Sequence, residues 1–551
     1  MTKFSASNPI AYFCAEYGLD ARLPIYAGGL GVLAGDTLKA AVDANLPFTA
    51  IGLLYRGEDA KQSITEDGDQ IEEDFHFDPH SVGLEPVHID DQPLYIKVHM
   101  TKVDVWMKCW KKQLSEHVTL YLLDTETEQN HLEERTITHA LYHGTEDSQF
   151  KQMLLLGIGG VKLLHALNIH PSHYHVNEGR PAFLHWQLIR SNMDIHGMTY
   201  EAAKAAATEK TVYTNHTLVG AGNPGYPTGL VEVYGKYYAD KMGVTISELI
   251  KDGIEDHDQE TFRVTRFALN ISRKASGVSQ IHYRLSEKQW PEYTWVGVTN
   301  GVHMSTWQAE NIRALQASAF SDKQALWNAH QDNKKRLAEF VRQQTGFGYD
   351  PNRMVISWAR RIAGYKQLGS IFEDVERLRD ILANQACPVQ LLISGKAHFG
   401  DTHGKALLKQ VVTYMKQQLA GYALYIPNYN IDVGQHLVQG SDIWLNTPEK
   451  DKEASGTSGM KAISNGVLQM SVSDGWVPEV EWQGKGWILD HTKVSESIYQ
   501  TLEQQAVPLY FDRDQAGIPQ KWLEMMRASI LESKNFSAAR MLQEYRDLLY
   551  S

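Results

Sequence analysis

The chain has 551 residues, 43% of them hydrophobic and 22% charged, and carries a net charge of −13. That length exceeds one ordinary domain, and the composition is that of a folded globular protein rather than a disordered or fibrous one. The acidic balance argues against nucleic acid as a partner, while leaving room for a local cationic pocket around one small anion.

The N-terminus has no apolar signal core. Cys14, Cys109 and Cys387 share no metal-type spacing and read as reduced thiols of a cytoplasmic protein. None of the 23 histidines falls in a tight ligand set, so no metal site is expected. Tyr26-Ala27-Gly28-Gly29-Leu30-Gly31 is a glycine-rich turn running into an apolar helix, able to present N–H groups to a phosphate. Its spacing is not the G-x-G-x-x-G of a dinucleotide site. Residues 93–123 are β-rich. The greasiest run, 153–169, contains Lys162, His165, Gly157, Gly159 and Gly160, which suits a buried helix better than a membrane span.

His175 with Asn177 and Glu178, Asn215 with His216, and Asn300 with His303 fall at expected strand ends. A neutral sugar needs such groups, which donate and accept hydrogen bonds, although taken singly each is more often a structural cap or a satisfied core group. A helix is expected over 324–344. From about Met354 onward, apolar runs alternate with helical patterns, the mark of a parallel sheet with crossover helices. The expected strands are 354–359, 389–393, 424–426, 443–445 and 467–471, with helices over 368–383 and 404–419. Ligands of open sheets sit beyond the carboxyl ends of the strands, where Arg360, Gly395, Tyr429 and Asn446 fall.

The loop Arg360-Arg361-Ile362-Ala363-Gly364-Tyr365-Lys366 puts three cations and a phenol at that edge. It suits an anion, and reads equally as a basic surface loop paired with Glu373 and Asp374. Glu453-Ala454-Ser455-Gly456-Thr457-Ser458-Gly459-Met460-Lys461 sets a lysine one turn beyond a small-residue loop of the kind that wraps an anion. That lysine is either a counter-charge or the anchor of an aldehyde cofactor. Two α/β lobes facing across a deep cleft are expected: 1–305, 306–530, and a C-terminal helix over 531–551 with a packing place on the first lobe.

In order, residues 11–17, 28–31, 175–179, 214–217, 299–302, 360–366, 395–398 and 453–461 resemble the α-glucan phosphorylases, the glycogen, starch and maltodextrin phosphorylase family, and most closely its short bacterial branch. The resemblance runs from residue 11 to about 480. It implies a GT-B architecture of two Rossmann-like lobes and pyridoxal 5'-phosphate held by Lys461 as a Schiff base. It also implies the reversible reaction of orthophosphate with the non-reducing end of an α-1,4-glucan or maltodextrin, giving α-glucose 1-phosphate with retention.

Carried over by position, Thr457, Ser458 and Arg360 contact the cofactor phosphate, with Tyr429 near it. Arg361, Lys366 and the backbone of Gly29 bind the substrate phosphate, and Gly29 counts among the cofactor contacts as well. His216, Asn300, Tyr365, Glu453, Ser455 and Gly456 hold the glucosyl unit, with the His216 carbonyl toward the anomeric carbon. Lys461, Arg361, Lys366 and His216 form the catalytic set. No nucleic acid or membrane is implied, and a homodimer is compatible.

The sequence departs from the family at Glu58-Asp59-Ala60-Lys61, at Arg180, where relatives carry histidine, and at Phe399-Gly400. These departures bear on glucan recognition. The start close to the first motif implies that long N-terminal regulatory regions are absent, so allosteric regulation is not expected. Two rival readings remain at this point: a GT-B nucleotide-sugar glucosyltransferase such as a glycogen synthase, and a catalytically silent glucan-binding protein on the same scaffold.

Overall fold

The computed structural model describes residues 5, 8–142, 144–218 and 223–551. Residues 1–4, 6 and 7, in the stretch read for a signal core, lie outside the described residues. The chain divides into two compact units. The first comprises 1–60, 74–299 and 541–551, and the second 61–73 and 300–540.

The first unit is built on a ten-stranded sheet. Its parallel part, in spatial order, is Trp295–Gly297, Lys274–Gly277, Thr211–Thr214, His173–Asn177, Ile10–Cys14, Phe48–Leu53 and Val118–Asp124. Val103–Gln113, Tyr95–Met100 and Glu85–Pro86 extend it antiparallel, which accounts for the β-rich stretch in the sequence. The central strands are buried on both faces, hence their near-continuous apolar character. The chain starts in the middle, runs out one way and then the other, so the order reverses between Ile10–Cys14 and His173–Asn177. The run 153–169 is helical and mostly buried as far as Ala166, and 167–169 lie beyond the helix. It continues Glu146–Leu154 through a wide turn at Leu155–Gly159 into Gly160–Ala166. A Cβ on Gly157 would lie 2.4 Å from the Leu184 nitrogen, so glycine is what lets this helix approach its neighbour.

The second unit holds a six-stranded, fully parallel sheet ordered Ala423–Ile426, Val389–Ser394, Met354–Ala359, Ile443–Asn446, Leu468–Val472 and Gly486–Leu489. In chain order that is 3-2-1-4-5-6, the doubly wound pattern, with its switch point between Met354–Ala359 and Ile443–Asn446. The helix expected over 368–383 is interrupted. Leu368–Phe372 forms a tight turn and Val375–Leu382 a helix, because Asp374 caps the second piece at the Arg377 nitrogen (2.9 Å). Tyr499 Oη fixes the break by accepting the Asp374 N–H and donating to the Ile371 carbonyl, both at 3.0 Å.

The unit boundaries differ from those expected. The second unit begins at Asn300 rather than 306, because Val302 bridges Ser537 and the Asn300 carbonyl accepts Arg540 Nη2 at 3.0 Å. The hairpin Lys61–Ile64 with Gln70–Glu73 belongs to the second unit. Gln62 donates to the Gly395 carbonyl (3.2 Å), Gln70 exchanges hydrogen bonds with the Ala397 backbone (2.9 and 3.0 Å), and Lys405 pairs with Glu72. The stretch 531–551 is not one helix. Its last eleven residues join the first unit, where Tyr550 Oη meets His175 Nδ1 at 2.8 Å and Lys274 Nζ donates to the carbonyls of Leu548 and Ser551.

Candidate active site

In the second unit, two loops leave the switch point side by side. The basic loop follows Met354–Ala359, and the loop beginning at Thr447 follows Ile443–Asn446. The second grips the first: Thr447 Oγ1 donates to the Lys366 carbonyl (2.9 Å) and the Glu449 N–H to the Tyr365 carbonyl (2.7 Å). Gly395, at the end of the adjacent strand, must be glycine, since a Cβ there would lie 2.1 Å from the Arg360 carbonyl oxygen.

Glu453 is the centre of charge. Its Oε2 receives hydrogen bonds from both Arg360 Nη2 and Lys366 Nζ. The three side chains are 8–9% exposed. Burial alone would raise the Glu453 carboxyl, but Lys366 and Arg360 outweigh it and hold it at about 2. Burial, joined by the Arg360 charge, pushes the Lys366 ammonium below its ordinary value against the pull of Glu453. Burial also raises the Tyr365 phenol, yet Lys366, 4.4 Å from its ring centroid, and Arg361 bring it below its ordinary value. The basic loop thus pairs with Glu453, not with Glu373 or Asp374. Arg361, by contrast, is exposed.

Arg360 is incompletely paired. Its Nε and Nη1 are buried without hydrogen-bond partners, two charged donors aimed at nothing in the protein. Tyr429, partly buried, has its phenol raised to about 12 by burial against the nearby Arg360 charge, so it stays a neutral donor. The Glu453 backbone is fixed as well: the N–H groups of Lys452 and Glu453 both reach Asp474 Oδ2, at 3.1 and 2.9 Å. The loop then turns at Gly456 (φ 83°) and enters the short helix Ser458–Ile463. Ser458 Oγ accepts Trp444 Nε1 at 3.1 Å, and Gly459 has no room for a side chain beside Gln469 and Trp476. Thr457 and Gly456 are half-buried, and the buried Ser455 Oγ has no partner.

Lys461 is buried, with Nζ 3.8 Å from the centroid of the Trp307 ring. Asn465 sets that contact by donating to the carbonyls of both Trp307 and Lys461 at 3.0 Å and accepting the Ala309 N–H at 2.7 Å. Asn300 is buried in the same unit, and its Oδ1 has no partner.

Gly29 and His216 belong to the first unit. Gly29 opens the helix Gly29–Asp43 and is exposed, with open space where a side chain would stand. His216 follows Thr211–Thr214. Its N–H donates to Glu178 Oε2 (2.9 Å), and its Nε2 lies 2.6 Å from Asn177 Oδ1. Burial depresses the His216 imidazole to about 3 and raises the Glu178 carboxyl to about 7. His175, by contrast, is a satisfied core group held between Tyr550 and Thr214.

The second unit therefore gathers Arg360, Tyr365, Lys366 and Glu453 through direct contacts, with Ser455 to Lys461 following Glu453 along its loop and into the helix Ser458–Ile463. Sequence reasoning missed Thr447, Asp474 and Trp307. The first two follow carboxyl ends of parallel strands and carry the same signal that located Arg360. Trp307, in the four-residue helix Met304–Trp307, carries none. Among the described residues no group of side chains could hold a metal ion, and no helix is long and apolar enough to cross a membrane.

A buried lysine on an aromatic face, buried arginine N–H groups without partners and a glycine-bearing loop supply donors and a cation for an anion. The family described as carbohydrate phosphorylase matches residues 298–485. Maltodextrin phosphorylase of Thermococcus litoralis is 34% identical over 99% of this chain and 70% of its own length. Glycogen phosphorylase of Aquifex aeolicus is 32% identical over 99% of this chain and 86% of its own. An uncharacterized protein of Methanocaldococcus jannaschii is 29% identical over 98% of this chain and all of its own length. On identity of this extent across nearly the whole chain, the protein belongs to the α-glucan phosphorylase family of carbohydrate phosphorylases.

Proposed function

We propose that the protein is an α-1,4-glucan phosphorylase: with pyridoxal 5'-phosphate on Lys461, it transfers the terminal glucosyl unit of a maltodextrin or glycogen chain to orthophosphate and reverses that reaction. The observation that carries the reading is Arg360, buried and bonded to Glu453 yet with Nε and Nη1 unpaired. The same reading assigns roles to Gly29 and His216 of the first unit.

Lys461 would hold the cofactor aldehyde, Trp307 would cover the ring, and Arg360, Thr457, Ser458 and Tyr429 would hold its phosphate. When bound, the cofactor supplies that phosphate as a proton carrier beside the substrate phosphate. Arg361, exposed on the loop, and Lys366 would bind orthophosphate, with Gly29 donating its N–H. Glu453 cannot be the acid that protonates the leaving oxygen, because Lys366 and Arg360 hold it ionised at about 2. It fixes the two cations instead, and with Ser455, Gly456, Asn300 and Tyr365 would receive sugar hydroxyls. A glycosidase would need a free acid and a second carboxylate across the bond, whereas Glu453 Oε2 is taken up by two cations. The His216 carbonyl, steadied through its peptide N–H by Glu178, would face developing positive charge at the anomeric carbon.

The test has two readouts. Maltodextrin and orthophosphate should yield α-glucose 1-phosphate, and borohydride reduction followed by peptide mass analysis should find a pyridoxyl group on Lys461. Fully active protein with unmodified Lys461 would refute the assignment. Modified protein that releases no sugar phosphate would instead favour the silent glucan-binding scaffold.

A further inference from the structure

The first unit carries a hydrogen-bonded relay that ends on its glycine-rich turn. Glu16 stands two residues beyond Ile10–Cys14, where the strand order reverses. Its Oε2 accepts the backbone N–H groups of Ala27 (2.8 Å) and Gly28 (3.1 Å), the two residues before the helix Gly29–Asp43. Its Oε1 accepts the Tyr142 hydroxyl. Tyr142 is held at φ 60°, a conformation an aromatic residue rarely adopts. The guanidinium carbon of Arg180 lies 4.4 Å from the Tyr142 ring centroid, and Arg180 Nη2 is tied to Gln149 Oε1 at 3.0 Å. Gly31 completes the fit, since a Cβ there would lie 2.8 Å from Glu16 Cβ.

We propose that Glu16 and Tyr142, braced by Arg180, are positioning residues for orthophosphate: they lock the 27–28 turn so that the exposed Gly29 N–H is already set when the anion arrives. The proposal rests on the phosphorolysis reading. Two adjacent glycines, Gly28 and Gly29, have wide conformational freedom, and ordering them on binding would be subtracted from phosphate affinity. Glu16 removes that freedom by taking two N–H groups at once. A bare carboxylate beside an anion site would also repel the anion. The Tyr142 hydroxyl delocalises that charge by hydrogen bonding, and the Arg180 guanidinium over the Tyr142 ring opposes it. Arg180 thus has a place in the fold: it covers Tyr142.

Full-length protein is assayed in the phosphorolysis direction with orthophosphate and maltodextrin varied separately. Tyr142→Phe removes one hydroxyl and should raise KM for orthophosphate about tenfold, the fold-change of one weakened charge-assisted hydrogen bond, with kcat and the maltodextrin KM nearly unchanged. Glu16→Gln keeps a carbonyl for the Ala27 and Gly28 N–H groups and an amide for the Tyr142 oxygen, so it should lose less than Glu16→Ala. An unchanged orthophosphate KM in Tyr142→Phe, an equal rise in the maltodextrin KM, or equal losses in Glu16→Gln and Glu16→Ala overturns the relay. A fall in kcat at constant KM also overturns it, since that is the mark of partly unfolded enzyme. Should Tyr142→Phe not fold, the two Glu16 variants decide alone. Wild-type protein that forms no glucose 1-phosphate at any phosphate concentration overturns the phosphorolysis reading itself.

Discussion

Replacing Arg360 by methionine keeps a long apolar stem but removes the two unpartnered donors together with the Nη2 bond to Glu453, so a ligand with a phosphate and one without it are needed to separate the two losses. In the structure Nε and Nη1 are buried and unsatisfied, and the arginine is already desolvated and anchored by Glu453. Each charge-assisted hydrogen bond to a phosphate is worth about 1.5–3 kcal/mol, so two give about 3–6 kcal/mol, and non-additivity favours the lower end. A loss of about 3 kcal/mol is roughly 150-fold in dissociation constant. The assay titrates cofactor-free protein with pyridoxal phosphate and, separately, with pyridoxal, which lacks the phosphate. Arg360→Met should weaken pyridoxal phosphate by that factor and leave pyridoxal within about threefold, since the removed donors have nothing to meet there. An equal loss for both ligands would mean that Arg360 supports the loop rather than the phosphate. No loss for either would refute the role altogether.

Three further outcomes are expected. Lys334, fully buried, joins Asp442 Oδ2, Tyr510 Oη (2.6 Å) and the Arg353 carbonyl (2.7 Å), so Lys334→Met takes the lysine charge from a buried carboxylate that keeps only His330 Nε2 and the Val355 N–H. It should destabilise by about 3–5 kcal/mol in urea unfolding, and a loss under about 1 kcal/mol would show the network to be dispensable. The Glu453 carboxyl, held at about 2 against an ordinary 4.5, favours the folded state above pH 4.5 and loses that contribution as pH falls toward 2. Wild type should therefore lose thermal stability faster than Glu453→Gln across that window, and parallel curves would contradict the ion pairing. Glu178 has the opposite sign: burial raises its carboxyl to about 7, so its contribution is complete below pH 4.5 and is lost as pH rises through 7. Glu178→Gln should remove that decline, and a variant that declines as steeply as wild type would exclude Glu178 as its source.

The second sheet was legible because its strands are buried on both faces and bounded by polar turns. Met354–Ala359 matches the expected strand in both bounds, and the others shift by a residue. Gly486–Leu489 escaped notice because it is an edge strand with only Leu489 buried, so its pattern is weak. The break before Val375 escaped because the apolar spacing on either side fits one helix, and Tyr499, more than a hundred residues later, decides against it. At the site, charge and glycine spacing pointed to Arg360, Lys366 and Lys461. The pairing of both cations with one glutamate did not follow from spacing, because Glu453 lies 93 residues from Arg360 and its approach depends on strand order. Glu16 and Tyr142, 126 residues apart, were illegible for the same reason.

The hairpin at 61–73 also sets a timetable for synthesis. Its Gln62 N–H is satisfied by Asn428, 366 residues further on, and its other glutamine by Ala397. An isolated two-stranded hairpin is marginal in water. At translation rates of about 5–20 residues per second, this one waits roughly 20–70 s for its partners to leave the ribosome. The first unit waits longer still, because the tyrosine that meets His175 is the penultimate residue of the sequence. The second unit needs residues up to Arg540 and the first needs 541–551, so neither can complete its fold until those residues have been made. A stalled or truncated product would therefore expose a half-finished sheet, and the protein depends on finishing translation more than a chain of two consecutive domains would.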